Sequence, residues 1–121
     1  MLVFDQSRVY GFGRTPAHYY WSTPLKYHLF ATAKKPKIVD SAPKRPRVPA
    51  WGQQQIEYAW SRPIPLQSRA MVLAAETLFV AGPPELVDEE AAHRQLDDAA
   101  VKAKLAEHGE ALRGRKGASL L

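Results

Sequence analysis

Cysteine is missing altogether. Its absence removes disulfides, thiolate metal sites and cysteine nucleophiles together. It leaves the compartment open, because cysteine-free domains serve in oxidising and reducing environments alike. No apolar run approaches the roughly 20 residues that a membrane helix needs. Met1 is followed at once by strand-like sequence, with neither the basic leader nor the apolar core of a signal peptide, so any export signal is expected upstream of this chain. An excess of charge of one sign is absent outside a single segment. Residues 34–47 hold Lys34, Lys35, Lys37, Lys44, Arg45 and Arg47 against Asp40, a balance equal to the net +5 of the whole chain, and elsewhere eleven basic and eleven acidic side chains cancel.

What is present suits one core: 121 residues, 45% hydrophobic and 24% charged. The most informative stretch is AMVLAAETLFVAGPP, residues 70–84. Short apolar runs at 71–74 and 78–81 flank Ala75, Glu76 and Thr77, and Gly82, Pro83 and Pro84 halt the second run. Runs of this length between breakers predict a β-hairpin whose strands are buried on both faces, with a buried helix fragment as the alternative that the same pattern fits. The pattern occurs twice. At an offset of 69, Leu2, Val3 and Phe4 fall on Met71, Val72 and Leu73, while Val9, Tyr10 and Gly13 fall on Leu78, Phe79 and Gly82. At an offset of 39, Tyr19, Trp21, Ser22, Pro24 and Leu25 match Tyr58, Trp60, Ser61, Pro63 and Ile64. Repeats of sequence imply repeated structural units.

The first unit, residues 1–32, adds an aromatic tract and a strand over 27–31 to the first hairpin. Eight of the twelve aromatics precede residue 31, and burial is the expected fate of so much ring surface. Residues 33–50 carry four prolines and six basic side chains, which reads as an extended surface loop or linker. A second strand unit with its hairpin is expected over 51–84, where Ile56, Tyr58 and Trp60 alternate with polar or small residues as one half-buried strand. Residues 85–116 turn alanine-rich and charged. A short helix over 88–95 and a longer one over 98–113 follow from Val101, Leu105, His108 and Leu112 at helical spacing, with Asp97 as N-cap and Gly114 as the stop. Residues 117–121 read as the start of a truncated strand without a partner.

Several residues invite chemistry. Glu89, His93 and Asp97 stand four residues apart, as a metal-binding helix face would require, but charged helices produce such spacing by chance and the break near Asp97 spoils it. His108 lies on the apolar stripe and reads as a packing residue. His18 and His28 lie among aromatics with no carboxylate or serine at motif spacing, so a triad is unsupported. Gly11 and Gly13 lack the third glycine and helix start of a dinucleotide site, and are read as relieving crowding in a strand. The expectation is therefore no catalytic residue, no metal site and no cofactor.

The phrases VYGFGR, YxWSTPLxYHLFA, YxWSRPIPL, RAMVLAAETLFVAGPPELVDEEAA and LRGRKGASLL, in this order, resemble part of the bacterial PQQ-like β-propeller proteins, the quinoprotein alcohol dehydrogenase-like and outer-membrane assembly factor superfamily. The resemblance implies a mainly β fold, a partial propeller of two incomplete antiparallel blades with a helical insertion near the C-terminus. It also implies a non-catalytic binding or scaffold module, a fragment whose partner is the rest of the parent propeller or another protein, periplasmic or at the cell surface if the parent carries a signal peptide. Quinone-dependent members hold their cofactor with a paired-cysteine disulfide in many cases, a stacking tryptophan and calcium. Here there is no cysteine, and Trp21, Trp51 and Trp60 sit in no recognisable cofactor motif. Two alternatives stand beside the scaffold reading. One is polyanion or nucleic-acid binding through Lys34, Lys35, Lys37, Lys44, Arg45 and Arg47, set against a stiff solvated linker. The other is part of a quinone-dependent oxidoreductase. Exposed strand edges would let an isolated piece pair with itself.

Overall fold

The structure, a computed structural model, describes residues 1–15, 26–40 and 54–121. The aromatic residues Tyr19, Tyr20 and Trp21, the first half of the 39-residue echo, His18, Trp51, and the basic residues Lys44, Arg45 and Arg47 lie outside the described residues.

Chain order begins with β1 (Leu2–Phe4) and β2 (Arg8–Arg14), the first predicted hairpin. Its turn is organised by Asp5, whose Oδ1 accepts the backbone N–H groups of Ser7 and Arg8, each at 2.7 Å. These donors stabilise the carboxylate and lower the Asp5 pKa to about 2. Next comes β3 (Tyr27–Ala33), paired with β2 from Arg8 opposite Ala33 to Arg14 opposite Tyr27. The strand expected over 27–31 is therefore real and two residues longer. A separate ribbon joins β4 (Ile38–Asp40) to β5 (Gln54–Ile56), so part of the segment expected as loop forms a strand. The sheet is completed by β6 (Trp60–Arg62), giving the antiparallel order β1-β2-β3-β6.

The single strand expected through Ile56, Tyr58 and Trp60 is thus two strands in two sheets. Between them the Thr32 hydroxyl donates to the Glu57 carbonyl at 3.0 Å and the Ala59 N–H donates to the Ala31 carbonyl at 2.8 Å. The Tyr58 ring packs over His28 and Phe30, with centroids 5.2 and 5.0 Å away. Local alternation continues through these residues, but the tertiary contacts of Tyr58 carry the chain from one sheet to the other.

The second sheet contains β7 (Ala70–Ala74), β8 (Thr77–Gly82) and β9 (Ser119–Leu120) in that order. The predicted hairpin is present, but its burial is one-sided: Met71 and Val80 are buried, whereas Val72 is 58% and Phe79 40% exposed. The final segment, expected without a partner, pairs with β8, and Val80 and Leu121 exchange backbone hydrogen bonds of 3.0 and 2.9 Å. Ahead of β7 the register slips by one residue, with Ala70 opposite Ala81 but Leu66 opposite Pro84, as in a bulge. The second unit expected over 51–84 is therefore divided, β6 belonging to the first sheet and the hairpin to the second.

The core lies between the two larger sheets. Phe12 and Leu29 from one meet Met71 and Val80 from the other, with Ile64 and Leu66 of the connection between them; Val3, Tyr10, Tyr27, Trp60 and Leu78 close around it. Leu66 is 0% exposed, the anchor of the crossing segment. Of the early aromatics, Phe12 is buried as expected, but Phe4 is 68% exposed.

Two helices follow, α1 (Glu89–His93) and α2 (Ala99–Leu112). Asp88 caps the first through the Ala91 N–H. The cap of α2 is Asp98 rather than the expected Asp97, because it is Asp98 whose backbone is extended and whose carboxylate reaches the Ala100 and Val101 N–H groups at 2.7 and 3.3 Å. Gly114 ends α2 as predicted: at φ 82° it lets its own N–H reach the Ala111 carbonyl and the Arg115 N–H reach that of Glu110. No helix among the described residues is long and apolar enough to cross a membrane.

Candidate binding faces

Antiparallel partners share a face, and strand residues alternate between faces, so the registers assign each side chain a side. In the first sheet Val3, Tyr10, Phe12, Leu29 and Trp60 face the core, and Leu2, Phe4, Val9, His28 and Phe30 face away. In the second, Met71, Leu78 and Val80 face the core, and Val72, Phe79, Ala81 and Leu120 face away. The repeat holds at the level of register: Leu2 opposite Gly11, Val3 opposite Tyr10 and Phe4 opposite Val9 become Met71 opposite Val80, Val72 opposite Phe79 and Leu73 opposite Leu78. The buried side is inverted. Val3 and Tyr10 pack on the core while their equivalents Val72 and Phe79 face out; Leu2, 63% exposed, corresponds to buried Met71.

The molecule thus presents two outward apolar faces. One carries Leu2 and Phe4; the other carries Val72, Phe79 and Leu120, the last 68% exposed. Between the sheets a cleft of about 420 Å³ opens beside Tyr10, Leu29, Trp60, Leu78, Val80 and Leu121. A Cβ on Gly11 would run into the tips of the Phe30 ring and the Leu2 side chain, which would have to turn aside; Gly13 faces open space, so the crowding expected at both glycines exists at one.

On the far side of the first sheet lies a contact that residue spacing could not reveal. The His28 Nδ1 and Ser61 Oγ, 33 residues apart in sequence, are 2.6 Å apart because β6 pairs with β3. His28 is only 5% exposed, and burial lowers its pKa and favours the neutral ring. Its Nε2 is buried with no hydrogen-bond partner among the described residues. A serine hydrolase would set a carboxylate on the second nitrogen to orient the base. In the geometry present, the pair pins the edge strand to its neighbour.

A second buried imidazole joins the helices to the sheets. His108, 2% exposed, accepts the Leu86 N–H on Nδ1 at 3.3 Å, which leaves the proton of the neutral ring on Nε2. That nitrogen lies 3.4 Å from Glu89 Oε1, outside hydrogen-bond geometry. The packing role expected of His108 is therefore met, with a polar contact added. Glu85 nearby has its pKa raised by burial, partly offset by the Gln67 amide at 3.2 Å. Glu89, His93 and Asp97 do not form one helix face, since α1 stops at His93 and Glu89 lies beside His108. Among the described residues no cluster of three or more His, Cys, Asp or Glu side chains forms that could hold a metal.

Of the candidate polyanion-binding residues, Lys34, Lys35 and Lys37 are exposed on the connection from β3 to β4. The Lys34 ammonium stands 4.9 Å from the centroid of the Phe4 ring, a cation–π contact at the margin of the first outward face. Lys44, Arg45 and Arg47 lie outside the described residues. No protein-family model, no curated protein and no solved structure matches this chain.

Proposed function

We propose that this chain is a non-catalytic scaffold or binding module: two neighbouring sheets of a PQQ-like β-propeller array, whose outward faces receive further sheets of a parent protein or a protein partner. The observation that carries this reading is the inversion of burial under an unchanged register. Two copies of a hairpin related by a two-fold axis would bury equivalent residues, so that Val3 and Val72 would both point inward. Here Val3 points towards the second sheet and Val72 points onward, away from the first. Units that all face one way round form an array, as in propellers and solenoids, and the end units of an array show apolar faces unless capped. The resemblance of the sequence phrases to PQQ-like proteins is the reason for proposing a propeller array rather than another kind of array.

The test is whether the faces accept apolar surface. At neutral pH the folded chain should bind a hydrophobic dye such as anilinonaphthalene sulfonate, and Phe4→Lys combined with Phe79→Lys should abolish the fluorescence while thermal unfolding stays cooperative. A folded wild-type chain that leaves the dye dark at a concentration where it sediments as a monomer would overturn the proposal.

A further inference from the structure

From the same inversion, and resting on the array reading above, we infer that a second copy of this chain docks head to tail: the Leu2 and Phe4 face of one molecule packs on the Val72 and Phe79 face of the next. The template for this contact is already inside the molecule. Its inter-sheet core joins a face bearing Val3, Tyr10 and Phe12 to one bearing Met71, Leu78 and Val80. The two outward faces are the repeat equivalents of these halves, exchanged. Leu2, Phe4 and Val9 stand where the second sheet has Met71, Leu73 and Leu78; Val72, Phe79 and Ala81 stand where the first sheet has Val3, Tyr10 and Phe12. Each molecule therefore displays one face of each kind, and the counterpart of each is the other.

Most of the equivalent positions remain apolar and of similar size: Leu2 for Met71, Phe4 for Leu73, Val72 for Val3 and Phe79 for Tyr10. Two positions differ in size, one on each face, Ala81 for Phe12 and Gly11 for Val80, and they leave the new contact shallower than the internal one. The Lys34 side chain over Phe4 lies at the margin and can swing aside on its flexible stem. The contact joins unlike surfaces, so it is heterologous; successive copies grow until a ring closes or an open assembly forms. Pairing of strand edges, the other route to self-association, would use backbone groups and leave these side chains free.

Sedimentation velocity distinguishes the arrangements. The wild-type chain should show mass increasing with concentration. Phe4→Lys removes one face and Phe79→Lys the other, so each variant alone should be monomeric, whereas their equimolar mixture should form a 1:1 heterodimer and nothing larger, since each retains the face its partner lacks. Either variant dimerising alone would point to a symmetric or edge contact and overturn the inference, as would a mixture that stays monomeric or a wild-type chain that does not associate. Leu2→Lys with Val72→Lys repeats the test should a first variant fold poorly. Dye binding without heterodimer formation would remove this inference and leave the array reading intact.

Discussion

Gly13 and Gly82 are the same residue in the two hairpins, yet alanine should have opposite effects at the two sites. A Cβ on Gly82 would fall on the Gln67 carbonyl oxygen, with the Arg69 nitrogen 3.1 Å away, so backbone must move. The segment that has to shift is held by the Arg69 N–H to the Ala81 carbonyl at 2.8 Å and the Gln67 N–H to the Pro83 carbonyl at 2.9 Å. Losing both costs about 2 kcal/mol at about 1 kcal/mol each. Leu66, fully buried just upstream, is drawn with it, and partial exposure adds about 1 kcal/mol. Gly82→Ala is therefore expected to destabilise by about 3 kcal/mol. At Gly13 a Cβ meets nothing within 4 Å, so alanine should stabilise by about 0.5–1 kcal/mol through the unfolded chain's lost freedom. Urea denaturation of the two variants reads the difference directly, about 4 kcal/mol by these principles. Equal changes at both positions, or a Gly82→Ala chain as stable as wild type, would refute the reasoning, because the close approach of residues 67–69 to β8 would then be absent.

Other outcomes follow from the polar contacts. Burial lowers the His28 pKa, so between the folded value and the free imidazole value near 6.5 the unfolded chain binds more protons. The contribution is complete above the free value and is lost as pH falls through it towards the folded one; melting temperatures should drop between pH 7.5 and pH 5 by more in wild type than in His28→Phe, and identical slopes would discount the buried imidazole. Asp98→Ala should cost about 1 kcal/mol in chemical denaturation through loss of the α2 cap. Asp97→Ala should change stability by no more than a few tenths of that figure, and the reverse order would restore Asp97 as the cap.

Local features were legible in the sequence where a few adjacent residues settle the backbone. Apolar runs between breakers located both hairpins, the change to alanine-rich charged sequence located both helices, and Gly114 marked the end of α2 because only a left-handed residue lets the last carbonyls be satisfied there. The cap of α2 was one residue off, since two adjacent aspartates offer the same side chain and the choice lies in which backbone is extended.

Faces and neighbours were decided elsewhere. A four-residue run such as MVLA is compatible with burial on one side or both, and the first sheet covers only the side of Met71. Alternation across Ile56, Tyr58 and Trp60 continues unbroken, yet the packing of Tyr58 on His28 and Phe30 divides it between two sheets. The His28–Ser61 contact spans 33 residues and exists only through strand pairing. The amino-acid order by itself determined where the two hairpins, the two helices and the Gly114 stop lie, and that one hairpin occurs twice, because short runs of neighbouring residues set those properties; it did not place β4 or the break between β5 and β6. Only the tertiary structure decided which side of each repeat is covered, because burial depends on what the rest of the chain brings against it, and on that decision rest the two outward faces.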